Sequence, residues 1–134
     1  MIDEGYIKFK ADWTKKDCIL NEDIAQLNHW RQEMYRLGLI GAYDNGIGYG
    51  NISQRIGDSQ QFFISGSKTG NFALLDAAHY AIVQSVTIDE NRLTCEGMSI
   101  ASSESMSHAV IYEECACVKG VIHIHHLELW KKLL

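Results

Sequence analysis

Most of the residues in this chain that could do chemistry lie toward its end. In "GVIHIHHLELW", Gly120 to Trp130, three of the six histidines fall within four positions. Side chains on an extended strand alternate between faces. His123 and His125 would therefore share a side, about 7 Å apart along the strand, and His126 would face the other way. Two imidazoles on one face suit zinc or a similar divalent ion. A pair alone does not close a site, because catalytic zinc centres usually take three protein ligands. Exposed strand histidines without any metal are the competing reading.

A second group stands upstream in "SIASSESMSHAVIYEECACVKG". Ser102 and Ser103 precede Glu104 at the start of an expected helix over 103–115. A helix N-terminus offers unpaired N–H groups and the positive end of a dipole, which favours a phosphate or carboxylate, and two hydroxyls would add donors. The plainer alternative is that Ser103 caps the helix and Glu104 is a favourable acid in its first turn. Further upstream, "GAYDNGIGYGN" carries Gly41, Gly46, Gly48 and Gly50 and must be loop. Its G-x-G-x-G pattern is a poor dinucleotide fingerprint, since no strand leads into it and no acidic partner follows at the required interval.

Other elements must position these groups. Ile24, Leu27, Trp30, Met34 and Leu37 recur at helical spacing, with Asn21 placed to cap that helix and Gly38 to end it. "NISQRI", a Gly57-Asp58 turn and "QFFIS" read as a hairpin. A short helix is expected in "LLDAAHY", strands in "AIVQSVTI" and "RLTCEG", and the start of another helix in "LELWKKLL". Strands and helices interleave, which points to an α/β or α+β layered sheet, with substantial antiparallel character from the hairpins. Residues 1–20 read as a lead-in and 21–134 as one domain.

Composition bounds the rest. The chain has 134 residues, 46% hydrophobic and 22% charged, with a net charge of −5. That length can bury a core without disulfides, and the four cysteines read as reduced, mostly buried thiols. No cluster of Lys or Arg suggests nucleic acid. No apolar run approaches the roughly 20 residues needed to span a bilayer, and "MIDEGYIKFK" lacks a signal-peptide core, so the expectation is a cytoplasmic protein with no membrane partner.

Taken in order, these motifs resemble the class II aldolase/adducin family, whose members include fuculose-phosphate and ribulose-phosphate-type enzymes. Ser102, Ser103, Glu104, His108, Tyr112, His123 and His125 follow the family's order and spacing. Gly50, Asn51, Ile52, Ser53 and Arg55 resemble its Gly-Asn-hydrophobic-Ser-x-Arg segment, and "FFISGSKTG" its Thr-Gly phosphate turn. The resemblance implies a three-layer α/β/α sandwich around a largely antiparallel sheet. It implies a zinc or other divalent ion on His123 and His125, with Glu104 as the catalytic acid/base. It assigns the phosphate of a small phosphorylated sugar to Gly50, Asn51, Thr69, Gly70, Ser102 and Ser103, with Ser67 competing for the place of Thr69. In that chemistry the metal stabilises an enediolate while the carboxylate moves a proton.

The family's third metal histidine falls some tens of residues beyond its His-x-His strand, and this sequence stops at Leu134. The expectation is therefore a domain with its C-terminal part missing, a homo-oligomer, tetrameric by family, and weak lyase activity. An adducin-like interaction domain without catalysis is the alternative, and retention of Glu104, His123 and His125 leans toward enzyme ancestry.

Overall fold

The computed structural model describes residues 9–134. A mixed six-stranded sheet forms its centre, in the order β1-β7-β6-β5-β4-β8, from β1 (Lys10–Lys15), β4 (Asn51–Arg55), β5 (Phe62–Ser65), β6 (Tyr80–Thr87), β7 (Arg92–Gly97) and β8 (Gly120–His123). Strands β4 to β7 run as a meander of antiparallel neighbours, β8 joins antiparallel to β4, and β1 lies parallel to β7. A separate ribbon pairs β2 (Gly41–Ala42) with β3 (Gly48–Tyr49) inside the glycine-rich loop.

The alternation of strand side chains sorts the core into two clusters. Phe62, Ile64, Ala81, Val83, Leu93 and Cys95 pack with Ala109 and Tyr112 of helix α2 (Ser105–Glu114). In the opposite phase, Ile52 and Tyr80 pack with Leu27 of helix α1 (Ala25–Arg36) and with Ile19, Ile24, Ile40 and Leu75. The class is α/β, as expected. A third helix, α3 (Leu127–Leu133), follows β8 and buries none of its residues. Among the described residues no helix is long and apolar enough to cross a membrane.

Several local expectations change. Part of the lead-in expected at 1–20 is the edge strand β1, whose alternating charges suit an exposed edge; residues 1–8 lie outside the described residues. Asn21 does not cap the first helix. The chain enters it through a 3-10 turn, Asn21–Ile24, in which the Asp23 carboxylate accepts from the Leu20 N–H. The Asn21 side chain instead accepts from the Ala77 N–H at 2.8 Å. Trp30 and Leu37, expected on the buried face, are half exposed, and the buried place goes to Arg31, which is 1% exposed. Gly38 does end the helix, with φ +76° and its N–H on the Tyr35 carbonyl. The helix expected in "LLDAAHY" shrinks to a 3-10 turn, Ala77–His79, because Tyr80 is already extended and buried in β6. Of the cysteines, Cys95 is buried but Cys115 and Cys117 are exposed, since they follow the end of α2.

Candidate functional site

Three separate stretches of chain meet beside the start of α2. A cleft is lined by Gly48 to Asn51, by Gly66 to Gly70, and by Ser102 and Ser103. All of the residues matched to phosphate binding, Gly50, Asn51, Thr69, Gly70, Ser102 and Ser103, therefore line one concavity. Backbone contacts explain the meeting. Gly66 bridges Ala101, and the Ser67 N–H donates to the Ile100 carbonyl at 2.9 Å, so the 66–70 turn is stitched to the segment that leads into α2.

Glycine is needed here for close approach. Gly50 has φ +79°, and a Cβ on it would stand 2.8 Å from Ile40 and 2.9 Å from the His123 carbonyl. A Cβ on Gly70 would collide with the Gly41 carbonyl. The glycine-rich loop and the 66–70 turn thus press backbone on backbone.

The turn is held from within and from behind. The Thr69 hydroxyl donates to the Gly66 carbonyl at 2.9 Å, so this residue shapes the turn with its own proton. From α1, the Arg31 guanidinium donates to the carbonyls of Thr69 at 3.1 Å and Ala73 at 3.4 Å. Lys68, with φ +62°, also lines the cleft, and the sequence reading did not single it out. Its place inside a run of small polar residues was the available signal.

At the head of α2 the helix begins at Ser105 with Glu104 in the cap position, and the Glu104 side chain does not cap it. The Ser102 hydroxyl instead accepts from the Glu104 N–H at 3.3 Å, and the Ser105 hydroxyl donates to the Ser102 carbonyl. Ser102 and Ser103 are buried against the cleft, and Glu104 is partly exposed.

Below the cleft runs a buried polar file that the sequence reading had matched as motif without giving it a task. His108 Nε2 meets Asn51 Oδ1, His108 Nδ1 lies 2.6 Å from Ser53 Oγ, and Ser53 Oγ lies 2.7 Å from the Tyr112 hydroxyl. Burial pushes the His108 pKa down to about 3, with the His123 imidazole adding a smaller push the same way. Burial also raises the Tyr112 phenol. Arg55 anchors the far end of α2, donating to the carbonyls of Tyr112 and Cys115 at 3.0 and 2.9 Å.

The histidine pair is arranged differently from the strand expectation. Strand β8 ends at His123, which pairs with Asn51, and His125 lies beyond it. The His125 N–H donates to the Leu39 carbonyl at 3.0 Å. The two rings nevertheless converge, with centroids 5.0 Å apart. Tyr43 holds the second one, its hydroxyl 3.0 Å from His125 Nδ1, and the Tyr49 ring lies 5.4 Å from His125. His126 caps α3, its Nδ1 accepting from the Leu129 N–H. Among the described residues no group of three or more His, Cys, Asp or Glu could hold a metal ion. The donor set fits half a zinc centre: two imidazoles, one of them oriented by a tyrosine.

A cleft at the head of α2, a Gly-Asn strand start and a converging histidine pair are thus brought together in one domain. Residues 25–130 match the family described as Class II Aldolase and Adducin N-terminal domain, and the chain belongs to it. No curated protein matches the chain.

Proposed function

We propose that this chain is a metal-dependent lyase of the class II aldolase type, acting on a small phosphorylated sugar or related carbonyl compound. In this reading α1 and α2 flank the sheet as the outer layers of an α/β/α sandwich. The observation that supports it most is the cleft, in which three stretches of chain set Gly50, Asn51, Thr69, Gly70, Ser102 and Ser103 around one space. Backbone N–H groups and short hydroxyl side chains beside a helix start suit a phosphate oxyanion.

In this reading the phosphate anchors the substrate and fixes its reacting carbons relative to Glu104 and the histidine pair. Glu104, which follows Ser103 directly, takes a proton from or returns one to the substrate. His123 and His125 would hold a zinc or other divalent ion, which when bound supplies Lewis-acid stabilisation to carbonyl and hydroxyl oxygens. Self-association belongs to the same proposal, supported by exposed Leu127, Leu129, Trp130 and Leu133 around α3. The same exposed surface also favours the second reading, an adducin-like interaction domain without catalysis.

The test is retro-aldol turnover on a panel of phosphorylated ketoses with zinc present, for the wild type and for Glu104→Gln. Turnover should fall by about 10²–10⁴ in the variant. Its melting temperature should stay within a few degrees, because an acid at a partly exposed helix N-terminus contributes only about 0.3–1 kcal/mol. Unchanged turnover in Glu104→Gln would remove its proton-transfer role. Phosphate binding without cleavage of any ketose would favour the interaction reading.

A further inference from the structure

We infer that His108, backed by Ser53 and Tyr112, is a positioning residue that turns the Asn51 amide so that its NH2 group faces the cleft and donates to a bound oxyanion. The inference rests on the phosphate reading of the cleft. Its starting point is burial: Asn51, Ser53, His108 and Tyr112 are 5%, 1%, 2% and 1% exposed. A file of polar groups so far from solvent has to satisfy itself, and each link constrains the next.

Donation can run along the whole file in two directions; a mixed arrangement, in which both Tyr112 and His108 Nδ1–H donate to Ser53, leaves the Ser53 proton without an acceptor in the file. In the first, the Tyr112 O–H donates to Ser53, the Ser53 O–H to His108 Nδ1, and His108 Nε2–H to Asn51 Oδ1. The Asn51 NH2 is then left for the cleft. In the second, every bond reverses: Asn51 donates to Nε2, Nδ1–H to Ser53, and Ser53 to Tyr112. The phenol proton then needs an acceptor of its own. Neither the Val121 backbone group nor the Arg55 guanidinium at Tyr112 offers one. The Val121 backbone favours the charged form of the phenol, as a donor does, and the Arg55 guanidinium lies over the ring, 4.8 Å from its centroid. Guanidinium groups cannot accept. The first direction therefore pairs every buried proton, and the second strands one in an interior where that is costly.

The consequence is selectivity by sign. An amide oxygen turned into the cleft would repel a phosphate, whereas the NH2 group attracts it. Because His108 stays neutral, with one nitrogen donating and the other accepting, the direction of the file holds across the ordinary pH range.

The experiment combines two readouts on the full chain. Nitrogen-15 NMR of the histidine side chains reports which His108 nitrogen carries the proton, and titration with inorganic phosphate reports cleft affinity. The expected tautomer is Nε2–H, and an Nδ1–H tautomer overturns the inference. His108→Phe should weaken phosphate binding about tenfold to a hundredfold, the worth of a hydrogen bond to a charged group. His108→Gln, which can donate to Asn51 in the same direction, should recover most of that loss. Should His108→Phe fail to fold, Asn51→Asp serves in its place: it replaces the NH2 with an oxygen and should abolish phosphate binding. Wild-type affinity in a folded His108→Phe or in Asn51→Asp removes the positioning role and leaves the phosphate reading standing. A wild type that binds neither inorganic phosphate nor a sugar phosphate removes the phosphate reading and the role of His108 with it.

Discussion

The two halves of the site are built from different materials. The proposed oxyanion half is backbone and short side chains, with Asn51, Thr69, Ser102 and Ser103 all buried and held by the sheet, by α2 and by Arg31. The histidine half sits on chain that has just left the sheet. His123 and His125 are partly exposed, and the second is supported by the Tyr43 hydroxyl and the Leu39 carbonyl. One half is preorganised by the fold itself, so its geometry should survive changes in the other. The other is an adjustable rim, whose ligation depends on side chains.

The sharpest way to break that contrast is to disturb the backbone contact under the cleft. Gly70→Ala puts a Cβ into the Gly41 carbonyl, and overpacking of this kind costs about 1–3 kcal/mol or more. Urea unfolding should show that loss, and phosphate binding should disappear with it. A stable Gly70→Ala protein with normal phosphate affinity would mean that the oxyanion half is as adjustable as the rim.

Acid should reach the buried half by way of His108. Its pKa falls from an ordinary 6.5 to about 3 in the folded state, so below about 6.5 the unfolded chain binds the proton first. The stability that depends on a neutral His108 is complete above about pH 6.5 and drains away as pH falls toward 3. The slope is at most about 1.4 kcal/mol per pH unit. Denaturant midpoints measured across that range should fall in the wild type and flatten in His108→Gln. Equal slopes in the two proteins would detach His108 from the acid response.

The smallest effect belongs to the rim. Tyr43→Phe removes one hydrogen bond to His125 and should lower zinc affinity by about tenfold, in the range seen for groups that orient metal ligands. Phosphate affinity and melting temperature should not move. A change in phosphate affinity would show that the halves are coupled after all.

The sequence made the oxyanion half easier to read than the rim, and the reason is physical. Gly50 is constrained by close backbone approach, and in the proposed reading Asn51, Ser102 and Ser103 are constrained by donor type. The cleft that gathers them could not be seen from spacing, because it depends on the Gly66–Ala101 bridge across distant parts of the chain. His123 and His125 were read as a strand pair, yet the rings converge by a route the alternation rule does not contain, since β8 stops at His123. Arg31 was the least legible residue. Helical periodicity gave the buried stripe to apolar side chains such as Trp30, while the structure buries a guanidinium because backbone carbonyls of the 69–73 segment await it. The strand at Lys10–Lys15 was missed for a related reason: its charged, exposed pattern carries no burial signal.

That edge strand has a consequence in time. The middle of the sheet, β4 through β7, joins segments that follow one another along the chain, so each pairing closes a short loop. The outer strand β1 must wait for Arg92–Gly97 before it has anything to pair with, and such distant closures come slowly. Refolding followed by pulsed hydrogen exchange should protect the amides of β5 and β6 before those of β1, and the reverse order would exclude a meander nucleus. A ribosome releasing this chain residue by residue would hold β1 idle until β7 emerged, which makes β1 one of the last strands of this sheet to find its place.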